Sequence, residues 1–162
     1  MRHRLMTIAP LALLVAACAA SAGPLGAFKV NDYAAHLSSA VLVGMPPISG
    51  AGRMVLVLSE KAPPAGADAN TTLIANPNAF GAAVTAVLIK FDGKDWSNTT
   101  GCDVAHPASK SKHGNHLDAN ACTLTDVSVA NGEFHAHLAT APATKDSEDA
   151  IAIDVRPNVK MP

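Results

Sequence analysis

Aromatic side chains are scarce in this 162-residue chain: four Phe, one Trp and one Tyr make up 4% of it. A core with so few rings has to be built from Ala, Val, Leu and Ile, and apolar content is indeed high at 49%. Charge is sparse at 15% and nearly balanced, with 12 basic and 13 acidic residues. That balance leaves no basic footprint for nucleic acid and no acidic tail, so a nucleic-acid partner is not expected. After the first 17 residues no stretch is long and apolar enough to span a membrane, which takes ~20 residues as a helix. Catalytic signatures are missing too. There is no Gly-x-Ser-x-Gly elbow, no His-Glu-x-x-His, no phosphate loop and no dinucleotide fingerprint. Nothing positive points to an enzyme.

What is there begins with a leader. Arg2, His3 and Arg4 precede an apolar run from Leu5 to Ala17, a basic n-region followed by a signal h-region. Residues 1–22 therefore read as the leader and the start of a tether, and residues 23–162 as one domain. Val15-Ala16-Ala17-Cys18 resembles the lipobox of bacterial lipoproteins. That resemblance implies lipid on Cys18, a membrane anchor, and an outer-membrane, periplasm-facing location because Ala19 is not acidic. Ala20-Ser21-Ala22 is also a small-x-small site, so ordinary cleavage after Ala20 or Ala22, giving a periplasmic or secreted chain, stays open. Losing Arg2 and Arg4 leaves 10 basic against 13 acidic residues, a net charge of −3.

Only three cysteines occur. Cys18 leaves by either route, lipidated or cut away, and Cys102 and Cys122 remain as a pair. In an oxidising compartment they are expected to form a disulfide, worth roughly 3 kcal/mol for a loop of this length.

The rest of the chain alternates like strands. Phe28 to Val30, a strand ending at Ala40–Val43, Met54 to Leu58, Ala82 to Phe91, Ala121 to Ala130 and Ile151 to Val155 all fit. Met54–Leu58 is apolar at every position, as a central strand covered on both faces would be. Asn31-Asp32, Asp92-Gly93 and Asn131-Gly132 are turn signals, and the last two predict two-residue hairpins. The Asp92-Gly93 turn would set Ile89 opposite Trp96 and Lys90 opposite Asp95. Met45-Pro46-Pro47 and Pro157 are read as breaks, and Asp68 or Asn70 as the cap of a short helical turn ending near Ile74. The expectation is an all-β fold: one antiparallel β-sandwich or open barrel of about seven to eight strands with at most that helical turn.

Trp96 to Leu138 holds both remaining cysteines and five of the seven histidines. His135 and His137 alternate on a strand, so they share a face with Cα atoms ~7 Å apart. The Asn131-Gly132 turn would set Asp126 opposite His137 and Ser128 opposite His135. Two imidazoles and a carboxylate suit Cu²⁺ or Zn²⁺, and His113, His116 or Asp118 from the disulfide loop would complete the set. Asp146-Ser147-Glu148-Asp149 reads as a solvated loop.

The run Cys102, His106-Pro107 and Ser109 to Gly114 resembles the metal loop of copper–zinc superoxide dismutases. Here the His-x-His strand follows the loop instead of preceding it, and no late His completes a copper site, so that activity is not carried over. In overall layout the chain resembles small exported bacterial lipoproteins of unknown function. The expected function is an envelope-anchored, non-enzymatic module that binds a protein or envelope component. The alternative is a periplasmic copper- or zinc-binding protein using His135, His137, Asp126, His116 and His113.

Overall fold

The computed structural model describes residues 25–63, 79–91, 95–111, 114–141 and 148–162. The expected leader with Cys18, the expected helical turn from Asp68 or Asn70 to Ile74, Asp92-Gly93 and His113 lie outside the described residues. Among those described, every regular element is a strand: β1 Gly26–Val30, β2 Tyr33–Ala35, β3 Ser39–Ile48, β4 Ala51–Ser59, β5 Ala83–Lys90, β6 Cys102–Ala105, β7 Asn115–Leu117, β8 Cys122–Ala130, β9 Glu133–Thr140, β10 Ile151–Val155 and β11 Asn158–Lys160. Eleven strands replace the expected seven or eight because four are only three or four residues long, too short to leave an alternation signal.

Two antiparallel sheets form. One runs β3-β4-β5-β6-β7 and the other β8-β9-β10-β1-β2, with β11 continuing β10 along β9. The inner faces of both sheets meet in one cluster that includes Phe28, Leu56, Leu88, Val104, Phe134, Leu138 and Val155. β4 is covered on both sides, as its sequence predicts. Met54, Leu56 and Leu58 enter this cluster, while Val55 and Val57 pack outward with Phe80 and Ala83.

Local chemistry explains most turns. Asn31 has φ 54°, and Asn131 and Gly132 have φ 52° and 76°, so the two hairpins turn where Asn and Gly tolerate left-handed backbone. β3 corrects the reading of Met45-Pro46-Pro47 as a break. The strand continues to Ile48 with a register shift between Met45 and Ile48, so both prolines sit in a bulge opposite Gly52. β3 ends its sheet, and an edge strand absorbs the missing N–H groups. Pro157 does not end pairing either. The register that sets Val155 against Leu138 also sets Asn158 against His135, and the Ala136 N–H donates to the Pro157 carbonyl at 3.4 Å. After β5, Ile89 bridges to Ser97, not Trp96. Trp96 instead packs beside Gly52, with the Lys90 ammonium 5.9 Å from its ring.

The Cys102–Cys122 disulfide is formed. The segment it closes is not a single loop, since it contains β6 and β7. Cys102 opens β6 in one sheet and Cys122 opens β8 in the other, so the bond staples the two sheets. Both cysteines are fully buried. Asn98 braces the staple: its Nδ2 donates to the Cys122 carbonyl at 3.3 Å and its Oδ1 accepts from the Gly101 N–H at 2.9 Å.

Candidate functional site

β9 alternates as its sequence requires. Phe134, Ala136 and Leu138 point into the core, and His135 and His137 share the outer face. The register across to β8 departs from the simple hairpin. Ser128 faces His135 as expected, but a shift between Thr125 and Ser128 places Thr125 opposite His137. Asp126 and Val127 together oppose Ala136, and Asp126 takes φ 53°. The added residue is accommodated here in left-handed backbone, and Asp is among the few side chains that tolerate it. The turn alone could not announce this bulge, because it lies in the strand interior.

The bulge still leaves Asp126 near His137. Its Oδ2 lies 3.9 Å from His137 Nδ1 and 3.4 Å from Arg156 Nη1. Asp154 of β10, not anticipated from sequence, comes closer, with Oδ1 2.8 Å from His137 Nε2. The Thr125 hydroxyl lies 3.4 Å from Nδ1. Both ring nitrogens are therefore faced by carboxylates from different strands, a charged cluster tying β8, β9 and β10 together. His135 stands apart, its Nε2 3.7 Å from Glu133. Beside this cluster, where β9 leaves β10, is a cavity of about 540 Å³ lined by Ala27, Lys29, Thr140, Ala152, Ile153 and Asp154 among others.

His116 is not brought to this face. It lies on β7 in the other sheet, directly across from Asp103 of β6, with Nδ1 2.8 Å from the Asp103 carboxylate. Asp118 shapes the turn into β8, where its Oδ1 accepts from the Asn120 and Ala121 N–H groups at 2.8 and 2.9 Å. Among the described residues no group of three or more His, Cys, Asp or Glu side chains converges as a metal ion would require. The structure thus joins His137 with Asp126, and separates both from His116.

The most committed polar group lies elsewhere. Asp149 is 1% exposed, against the expectation of a solvated loop. It accepts from Asn31 Nδ2 at 2.8 Å, Ser109 Oγ at 2.5 Å, the Lys110 N–H at 3.1 Å and Asn115 Nδ2 at 3.0 Å. These donors come from the β1–β2 turn, the β6–β7 connection and β7, so one carboxylate fastens the two sheets. Burial pushes its pKa up, but the bonds from Ser109, Asn31, Lys110 and Asn115 outweigh that and hold it well below the usual carboxylate range. No local pattern marks this residue, because its partners are far away in sequence.

His106 is equally structural. Its ring meets Phe28 edge-on at 5.6 Å between centroids, and Nδ1 accepts from the Ala108 N–H at 2.9 Å. That bond fixes the neutral tautomer with the proton on Nε2. Burial lowers its pKa, with Glu60 and Asp149 opposing the shift. Chemically, these sites are two interior locks and one surface ion cluster. No family model, curated protein or solved structure matches this chain.

Proposed function

We propose that this chain is an envelope-anchored, non-enzymatic lipoprotein whose β-sandwich binds a protein or another envelope component. The observation that carries this is the placement of Cys18. It follows three small residues at the end of a short apolar leader and precedes by seven residues Leu25, where the described fold begins. Seven residues reach at most about 25 Å, so the anchor holds the domain close to the bilayer. Lipid on Cys18 would add ~0.8 kcal/mol per buried CH₂, enough with several chains to hold a soluble domain. The buried inter-sheet disulfide supports the same reading, because such bonds persist in oxidising compartments. For the copper or zinc alternative, the Asp126 and Asp154 carboxylates sit at opposite ring nitrogens of His137, and His135 and His116 stand apart, so among the described residues no three of these groups converge on one ion.

The test is mass spectrometry of the mature amino terminus from a bacterial host, with fractionation of the Cys18→Ala variant. A triacylated Cys18 terminus, with the variant released from the membrane fraction, supports the anchor. An unmodified terminus beginning after Ala20 or Ala22 sinks it.

A further inference from the structure

The end of the β3–β4 hairpin is built in layers. Outermost is the two-residue turn Ser49-Gly50, and the strand residues that lead into it, Pro46, Pro47 and Ile48, are all exposed. Ile48 pairs with Ala51, and Lys90 pairs with Gly52, so the same register sets Phe91 on the far side of Ala51. Ile48 and Phe91 are 53% and 49% exposed, two of the four exposed large hydrophobics among the described residues. They flank a buried alanine at one end of the sheet, and none of these residues is charged.

One alternate position deeper, ~7 Å by the strand rise, the character changes. Arg53 lies between Met45 on β3 and Ile89 on β5. Its Nε is buried and without a hydrogen-bond partner. A buried donor without a partner costs stability, and the rest of this half-buried guanidinium keeps its charge near the surface. At about the same depth, but on the opposite, core-facing side of the sheet, Trp96 packs beside Gly52, with Lys90 over its ring. The acid described near this level is Asp95. The Asp103–His116 pair lies two rows further along the same sheet and is already satisfied.

An apolar tip followed by a tryptophan and two cations matches the order of a bilayer surface. Apolar groups enter ~5–10 Å to the acyl boundary, tryptophan rests at the headgroups, and arginine reaches for phosphate along its aliphatic stem. We propose that this tip is a membrane-insertion surface, in which Ile48 and Phe91 enter the edge of the acyl layer and Arg53 binds a lipid phosphate. The envelope reading supplies the nearby bilayer, and the proposal rests on it in that respect. The tip and the tether enter from opposite ends of the fold. Leu25 bonds to the Leu37 carbonyl just before β3 starts, and ten residues of β3 then span ~33 Å. Anchor and tip together would hold the domain inclined along the membrane at two points.

Trp96 is the only tryptophan in the chain and so reports on this layer. The test takes the exported chain carrying Cys18→Ala, so that no anchor contributes, and phosphatidylcholine vesicles with brominated acyl chains. Quenching of Trp96 is expected, with vesicle partitioning at least about tenfold weaker in Ile48→Ser/Phe91→Ser. Arg53→Gln is expected to weaken it as well, and circular dichroism checks that each variant folds. Absent quenching overturns the proposal, and so does quenching that Ile48→Ser/Phe91→Ser leaves intact. A dimer in solution that this double variant dissolves would assign the tip to a second copy instead. Partitioning unchanged by Arg53→Gln removes the phosphate contact. Because Cys18 is absent here, failure of this test leaves the anchor to be judged by its own mass-spectrometric result.

Discussion

Asn31 donates from Nδ2 to Asp149 Oδ1 at 2.8 Å across 118 residues of chain. The contact is reciprocal along the backbone, since the Asn31 N–H donates to the Ala150 carbonyl at 2.7 Å and the Ala150 N–H to Asn31 Oδ1 at 3.0 Å. Asn31 also donates to the Ala108 carbonyl at 3.2 Å, so the tip of the first hairpin is tied to the β6–β7 connection as well.

Replacing Asp149 by Ala takes a shared acceptor from four donors, of which Asn31 and Asn115 keep a second bond, to the Ala108 carbonyl and to Ser109 Oγ. The expected loss is about 3 kcal/mol, since each buried group left unpaired costs about 1–3 kcal/mol and the sites partly relax. The shift in urea midpoint, compared with Asp146→Ala three positions earlier in the sequence as a control, measures it. Asn31→Ala should lose part of the same energy, and the double variant should lose less than the sum because the two residues share a bond.

Stability should fall in two acid windows. The folded His106 pKa lies below its ordinary value of 6.5, so the unfolded chain takes up a proton first, and stability drops as pH falls below that value. The folded Asp149 pKa also lies below its ordinary value of 3.8, so its contribution is complete above that pH and is lost as pH falls further. Urea unfolding across pH 7 to 3 should show both slopes. His106→Gln should flatten the first and leave the second, and Asp149→Asn should flatten the second and extend the first to lower pH, because the Asp149 charge no longer opposes the His106 shift.

Reducing the disulfide, or replacing Cys102 and Cys122 by Ser, should destabilise the fold by roughly 3 kcal/mol in the chain-entropy model. Thermal unfolding with and without a reductant tests this. Gly101→Ala should do comparable harm with the bond intact. Gly101 has φ 91°, and a Cβ there would lie 1.8 Å from the Leu117 carbonyl oxygen. The backbone between β7 and Cys102 has no room to yield.

His137→Ala should cost less than about 1 kcal/mol despite its three polar neighbours, because both carboxylates are largely exposed and such pairs are worth little. Zinc or copper titration, read by calorimetry, should give binding weaker than about micromolar, since ligands for a stable site must converge at ~2.0–2.2 Å. One-to-one binding tighter than that, abolished in His135→Ala/His137→Ala, would restore the metal reading.

The sequence by itself determined the pieces whose causes are local. Asn131-Gly132 turns because those two residues accept positive φ, Met54–Leu58 is central because every position is apolar, and Ile151, Ile153 and Val155 point inward because a strand alternates. The pairing of Cys102 with Cys122 followed from parity and from the expectation of export. Tertiary structure alone decided the rest. The bulge at Asp126 shifts the partner of His137 by one residue, and strand alternation does not reveal where a bulge falls. The short β6 and β7 exist only because β5 offers an edge, and they carry His116 into the opposite sheet. Asp149 is buried because donors from 34 to 118 residues away converge on it. A carboxylate in a polar loop reads as solvated until the fold brings its partners near.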